Sequence, residues 1–403
     1  MRRSWWIIGV VFVQWLIGYF DKTAMSVLAV PVAAEFGFSK SQMGLVLSGF
    51  FLGFAAMTPI GGYLADRFGA RRVLFLVMLL WSIFTGLTTL AWSLASLIVL
   101  RALFGLAEGS FPSASSAAVA ALMPVHQRGR AKALLTSGAT LGTAFGALIV
   151  SALAASHGWR YPFHVFAAIG IAVSFAFLLI SRGMAPQQSR TQPLSLREAL
   201  RVVGRFRLVW ALAATQFGVG FFAWGLNQWL PSYWVQVKGL SLTSAGLVTA
   251  IPNVVAFFAM LGAGFLSDKV SGKEGKFICV ALIVTLIATC LTYFASSVAM
   301  GVFYVGVAQV AISTSAPLLA IVVLKRMHTS VAGTATGLTN FGQQMAGVIA
   351  PTVMGCAIDA AGGAYGVIFA LVVIILAVSA VVSLTIDGAP AHDIRDNAQH
   401  TGG

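Results

Sequence analysis

Residues 61–72 read Gly61-Gly62-Tyr63-Leu64-Ala65-Asp66-Arg67-Phe68-Gly69-Ala70-Arg71-Arg72, a glycine-rich turn with one carboxylate and three arginines. It joins two apolar runs, 42–65 and 73–92, each long enough to cross a hydrocarbon layer roughly 30 Å thick. A weaker copy, Gly262-Ala263-Gly264-Phe265-Leu266-Ser267-Asp268-Lys269 with Lys273 and Lys276 beyond it, closes a later run, 243–267. The first copy follows the second apolar run and the other follows the eighth. The chain therefore reads as two repeats of six spans, a design that holds substrate at the bilayer midplane between the repeats.

Outward from that turn, further runs at 5–31, 95–121, 131–155, 162–181, 208–235, 277–296, 299–323, 331–357 and 364–386 bring the number of spans to twelve. With 59% hydrophobic and 9% charged residues and a mean hydropathy of +0.91, the chain has more apolar surface than any aqueous core could bury. The bilayer is its solvent. A net charge of +14 would suggest nucleic acid in a soluble protein, but the placement of the basic residues excludes that partner. Twenty of the 25 Lys and Arg fall at the termini or in every second gap, Lys40, Arg160 and Lys238 fall on the opposite side, and Lys22 and Arg101 fall inside spans. By the positive-inside rule both termini are expected to be cytoplasmic, which requires an even number of crossings. Cys279, Cys290 and Cys356 lie in spans without CxxC spacing, so neither a disulfide framework nor a metal cluster is expected. The first apolar run is too long for a signal peptide and lacks a small-residue cleavage site, so it is expected to be retained as the first helix.

One long polar break, with Pro186, Pro193 and six arginines, divides the spans six and six. The expected organisation is an all-α membrane protein of twelve transmembrane helices in two pseudo-symmetric six-helix bundles. The first bundle covers 1–181, a cytoplasmic linker 182–207, the second bundle 208–387, and a disordered polar tail 388–403. Within the linker, 194–206 has apolar and basic residues at helical spacing, suited to lying on an anionic membrane surface.

Ionisable groups inside spans are expensive and are functional by default. Asp21 and Lys22 lie more than halfway along the first helix, and Arg101 and Glu108 lie seven residues apart on the fourth, on one face and about 10 Å apart along the axis. Two readings stay open: two ion pairs that lock helices together, or a balanced set around a cavity. In the second, protonating either carboxylate frees a cation, so an anion binds once protons have bound. In the seventh helix Asn227, beside Trp224, is placed either against the cavity or in an interhelical hydrogen bond.

The pattern Gly-x-Leu-x-Asp-Arg-x-Gly-x-Arg-Arg at 62–72 resembles the signature of the major facilitator superfamily. Tyr19-Phe20-Asp21-Lys22-x-x-x-Ser26 and Arg101-x-x-x-Gly105-x-x-Glu108-Gly109-x-x-x-Pro112 resemble motifs of its anion:cation symporter family. Gly158-Trp159-Arg160 and Gly337-x-x-Asn340-x-x-Gln343 add to the match. The resemblance implies that Asp21 and Glu108 carry protons and that Lys22 and Arg101 hold the substrate carboxylate. It also implies that Tyr19, Asn340 and Gln343 supply polar contacts. Gly62, Asp66, Arg67, Gly69, Arg71 and Asp268 would then govern the conformational switch, the glycines through close helix approach and Asp66 through pairing with arginine. The chain departs from the pattern twice. Lys22 stands where the family usually has arginine, and Phe54 stands where sugar-acid members often have tyrosine. A less hydroxylated or partly aromatic carboxylate becomes as good a candidate as a sugar acid.

No Walker lysine motif, HExxH or GxSxG is present in a span, so neither an ATP-driven pump nor an enzyme is expected, and no cofactor. The expected activity is proton-coupled uptake of a small organic anion, with an organic-anion antiporter or effluxer as the alternative. The expected partners are that anion, protons and membrane lipids, and the expected setting is a bacterial inner membrane with the protein as a monomer.

Overall fold

The computed structural model of the chain describes residues 2–182, 196–269, 273–327 and 329–387, and these contain helices and turns but no strand. The helices are α1 (Arg2–Val27), α2 (Ala29–Phe36), α3 (Lys40–Phe68), α4 (Ala70–Leu87), α5 (Leu94–Glu108), α6 (Phe111–Leu122), α7 (Val125–His157) and α8 (Arg160–Ile180). They continue as α9 (Leu196–Val203), α10 (Arg207–Gly220), α11 (Asn227–Gln236), α12 (Leu242–Lys269), α13 (Glu274–Phe294), α14 (Val298–Arg326), α15 (Thr329–Ala360) and α16 (Gly366–Leu384). Eleven stretches of described residues are long and apolar enough to cross a membrane, with α5–α6 and α10–α11 each serving as one crossing in two pieces. The remaining expected crossing is α15, whose 32 residues reach about 48 Å. Its glycines, threonines and amides make it less apolar than the others.

Proline and glycine set the breaks. Pro31 and Pro112 each lie four residues after the last residue of a helix, Val27 and Glu108, where the ring collides with the carbonyl and removes the N–H that would continue the ladder. Glu108 is therefore the C-terminal residue of α5. Residues 221–226 form a π-helical turn ahead of Pro231 in α11. At the turn between α3 and α4, Gly69 adopts φ 82° and its N–H reaches the Ala65 carbonyl, a conformation that side chains resist.

Close packing in lipid depends on small residues. On α7, Gly138, Gly142 and Gly146 recur every fourth residue, and a Cβ at any of them would press on Trp15, Tyr19 or Phe20 of α1. Gly53 of α3 faces the Ala102 carbonyl of α5, and Gly105 of α5 faces the Phe50 carbonyl of α3.

The chain forms two compact units. The first comprises 1–190, 224–257 and 347–368, and the second comprises 191–223, 258–346 and 369–403. Of the two expected bundles, 1–181 lies wholly in the first unit and 208–387 is shared between them. Of the expected linker, 183–195 lies outside the described residues and 196–203 is helical. The expected tail, 388–403, also lies outside them.

In the first unit Arg3 donates to the carbonyls of Ile180 and Arg182, and Arg71 donates to Leu178 O at 2.9 Å and Ser181 Oγ at 3.0 Å. Cations here satisfy the open carbonyls at the end of α8, which gathers Arg3 of α1, Arg71 of α4 and Arg182 at one end. In the second unit Glu274, buried at the start of α13, binds Lys325 at 3.0 Å and Arg326 at 3.5 Å.

Candidate functional site

All four charged residues expected inside the membrane are buried in the first unit, with exposures of 1% for Asp21, 8% for Lys22, 3% for Arg101 and 4% for Glu108. Their partners are not their sequence neighbours. Adjacent side chains on a helix diverge by about 100° and residues seven apart stand about 10 Å from each other, so neither Asp21–Lys22 nor Arg101–Glu108 forms a direct contact. Instead Lys22 Nζ crosses from α1 to Glu108 Oε1 on α5 at 2.8 Å. Asp21 Oδ2 accepts a 3.0 Å hydrogen bond from Thr85 Oγ1 on α4.

Gly18 makes the first of these contacts possible. It sits one turn before Lys22, and a Cβ there would lie 3.0 Å from Glu108 Oε1. The Lys22 ammonium is enclosed on its other sides by the faces of Tyr19 at 4.1 Å, Phe54 at 5.0 Å and Phe50 at 5.3 Å. Each ring attracts the cation through its quadrupole, by roughly 0.5–2 kcal/mol. The Arg101 guanidinium lies over Phe104 at 4.9 Å and Phe50 at 5.7 Å. Asp21 Oδ1, Glu108 Oε2 and Arg101 Nε have no hydrogen-bond partner among the described residues. The cluster thus combines one closed ion pair with unfilled capacity for both an anion and a proton.

Burying two charges costs several kcal/mol each, and the Lys22–Glu108 contact offsets that only while both are charged. Any anion that engages the ammonium competes with Glu108 for the same three donors.

Trp224, at the π-helical turn, packs on Phe51 at 5.1 Å and its indole N–H is unpartnered. Asn227 is half-buried, while the carbonyl of the neighbouring Gln228 accepts from Ser26 Oγ at 2.8 Å. Asn340 is exposed and Gln343 half-buried, and both belong to the second unit. Of the residues expected to govern switching, Gly69 and Arg71 make the contacts given above, and Arg67 is exposed and bonds Tyr63. Gly62 is not a close-approach glycine: a Cβ there would meet nothing within 4 Å, whereas one on Gly61 would lie 2.5 Å from Ser110 Cα. The close approach falls one residue earlier, at Gly61, on the face of α3 that meets Ser110. The side chains of Asp66 and Asp268 lie outside the described residues.

Thr85, Gly18 and Phe50 belong to the cluster and were missed in the sequence. Gly18 carried a signal, since it shares the α1 face of Asp21 and Lys22, whereas Thr85 looks like any hydroxyl in a span. A separate cavity of about 460 Å³ is lined almost entirely by apolar residues of α3, α4 and α5 and by none of the four charged residues.

Residues 10–351 match the Major Facilitator Superfamily. A probable sulfoacetate transporter of Cupriavidus necator is 31% identical over 411 residues, 94% of this chain and 93% of that protein. A hexuronate transporter of Bacillus subtilis is 28% identical over 88% of each chain. Among solved structures, a bacterial homologue of the human lysosomal transporter Spinster, inward-facing and occupied, superposes with a TM-score of 0.85 at 20% identity over 97% of this chain and 98% of that one. A D-xylose–proton symporter superposes with a TM-score of 0.77 at 15% identity over 96% and 98%. A span pattern of six plus six, the 61–72 turn, and a sequence match across most of the chain lead to one conclusion: this protein belongs to the Major Facilitator Superfamily and is a membrane transporter, not an enzyme.

Proposed function

We propose that the protein is a proton-coupled symporter that takes up a small organic anion by alternating access, the anion binding at Lys22 and Arg101 while Glu108 and Asp21 carry protons. The observation that carries this reading is the 2.8 Å contact between Lys22 and Glu108 in a buried cluster with two further charges. With Glu108 ionised, its carboxylate occupies the ammonium. Once a proton neutralises Glu108, the ammonium is left without a counter-charge and an incoming carboxylate or sulfonate takes the vacated position. Arg101, whose Nε is unpartnered, offers the second donor group. Proton and anion then bind with positive coupling, and each promotes the other by the same factor.

The relatives favour an anionic cargo, since they include transporters named for sulfoacetate and hexuronate. The enclosure of Lys22 by Phe50 and Phe54 favours a small, sparsely hydroxylated anion over a sugar acid. Tyr19, Trp224, Asn227, Asn340 and Gln343 are the proposed polar and aromatic contacts. Gly62, Asp66, Arg67, Gly69, Arg71 and Asp268 are the proposed switching residues. We assign the basic end of the first unit to the cytoplasm of a bacterial inner membrane and the transporting species to the monomer.

The test is uptake by purified protein in proteoliposomes, with and without an inward proton gradient, against sulfoacetate, hexuronates, dicarboxylates and aromatic acids. The wild type should accumulate one of these only with the gradient. Glu108→Gln and Asp21→Asn should each lower accumulation by at least about tenfold while exchange of bound anion survives. Accumulation indifferent to the gradient would identify an exchanger.

A further inference from the structure

Gln14 is completely buried in α1, yet neither its amide nitrogen nor its carbonyl oxygen has a hydrogen-bond partner among the described residues. Leaving such groups dry costs roughly 1–3 kcal/mol each, and buried polar atoms are satisfied by protein or by internal water in nearly every case. Gln14 is not isolated. The indole N–H groups of Trp15 and Trp81 and the acceptors Glu108 Oε2 and Asp21 Oδ1 are also unpartnered.

These groups are contiguous. Gln14 and Asp21 are seven residues apart on one face of α1, about 10 Å along the axis, with Gly18 between them. A Cβ on Gly18 would lie 3.0 Å from Glu108 Oε1 and 3.8 Å from the Trp81 ring, so the carboxylate and the indole both reach α1 at the turn between Gln14 and Asp21. Trp81 and Trp15 flank the same ring, Phe111, at 5.0 and 5.4 Å. Beyond Trp15, Lys132 Nζ lies 5.8 Å from its ring and donates to the exposed Ser116 Oγ at 2.7 Å. Donors and acceptors therefore continue from the charged cluster, past Gln14, to the half-buried Lys132 and the exposed Ser116.

We propose that Gln14, with the Trp15 and Trp81 indoles, binds a short file of internal water that joins Glu108 and Asp21 to the end of the first unit where half-buried Lys132 meets the exposed Ser116. Gln14 is the positioning residue of that file. A carboxamide both donates and accepts, so water bound to it can point either way along the file. The indoles only donate and fix water oxygens without competing for the proton. The proton enters or leaves through Glu108 Oε2, the oxygen that Lys22 does not hold, passing between oxygens with no charge left on Gln14. The ionisable groups that face the file are Asp21, Lys22 and Tyr19 on α1, Arg101 and Glu108 on α5, and Lys132 on α7. The proton-carrying role rests on the proposed symport, but the water site does not.

Hydroxyl-radical footprinting of the full chain in lipid nanodiscs tests the site directly, because water held beside a buried ring supplies the radical that oxidises it. Trp229 is the control: it is as buried as Trp81, but its indole N–H is taken by the Pro351 carbonyl at 3.1 Å. Trp15 and Trp81 should oxidise several-fold faster than Trp229, and Gln14→Leu should lower them to the rate of Trp229. Equal rates in the wild type overturn the site. In proteoliposomes Gln14→Leu should slow anion-coupled proton uptake by at least about tenfold, leave anion exchange unchanged, and be rescued by Gln14→Asn. Undiminished proton uptake in Gln14→Leu overturns the positioning role. Should the wild type show the labelling but move no proton with the anion, the water site stands and its proton-carrying role falls together with the symport reading.

Discussion

Lys22 is where substrate choice and stability meet. Lys22→Met would leave Glu108 buried without its counter-charge, a change of about 3–5 kcal/mol, while the double variant Lys22→Met with Glu108→Gln should recover more than half of that loss. Thermal unfolding in detergent measures both, and a double variant no more stable than the single one would show that the pair is not the source of the loss. Beside the ammonium, Phe54 closes off space that a hydroxyl could use. Phe54→Tyr should improve half-saturation for a hexuronate by about fivefold, roughly 1 kcal/mol, with little effect on a small sulfonate, as measured by competition for uptake. The four charges were legible one by one, because a charge in an apolar run of 20 residues is conspicuous. Their partners were not, since neighbours in sequence diverge around a helix and the real contacts, Lys22 with Glu108 and Asp21 with Thr85, cross between helices.

The helices follow rules that sequence states well. Twelve crossings were legible because the bilayer demands unbroken apolar length, and the turn at Gly69 was legible because only glycine takes that conformation comfortably. The π-helical turn at 221–226 was not, as nothing in Phe-Phe-Ala-Trp-Gly-Leu separates it from an ordinary helix. Which glycines carry packing also depends on rotation about the axis. Gly105→Ala, whose Cβ would collide with the Phe50 carbonyl, should destabilise the protein by about 1–3 kcal/mol and displace the helix that bears Arg101 and Glu108. Gly62→Ala should stay within about 0.5 kcal/mol, since nothing lies near its Cβ. Thermal unfolding of the two variants side by side separates them.

At the charge-poor end, Glu35 of α2 accepts from Trp159 Nε1 at 2.6 Å and pairs with Arg160 at 2.7 Å. The Trp159 hydrogen bond, then that of Arg160, hold its carboxyl below the usual range. A lowered folded-state value means that the contact stabilises fully above the ordinary pKa of glutamate and is lost as pH falls through the folded-state one. Glu35→Gln should therefore lower the unfolding temperature slightly at pH 7 and lose that difference in acid, below about pH 4. A difference that persists in acid would locate the effect in packing on Trp159.

Across the whole molecule, the compact units do not follow the order of the chain, and this was the least legible feature. Each repeat looks complete in sequence, but the first unit takes in 224–257 and 347–368 from the second half. Its far end shows what binds those segments. Asp359, near the end of α15, accepts from the Lys40 N–H at 3.1 Å, the Ser41 N–H at 2.7 Å and the Ser41 hydroxyl at 2.5 Å, so its carboxylate caps the first turn of α3. A carboxylate at a helix N-terminus gains from both the free N–H groups and the dipole. Gln236 of α11 adds a second link, accepting from Lys40 Nζ at 2.5 Å and from the Tyr365 hydroxyl at 2.8 Å. In the alternating cycle proposed above, binding from the charge-poor side requires these links to open and reclose on every turnover. Ser41→Cys with Asp359→Cys, in a background where Cys279, Cys290 and Cys356 are serine, should therefore lose transport on oxidation and regain it on reduction, while each single variant is indifferent to oxidant. If the oxidised double variant, shown to be cross-linked by mass spectrometry, transports at the full rate, then the Asp359 cap stays closed throughout the cycle and the anion enters by another route.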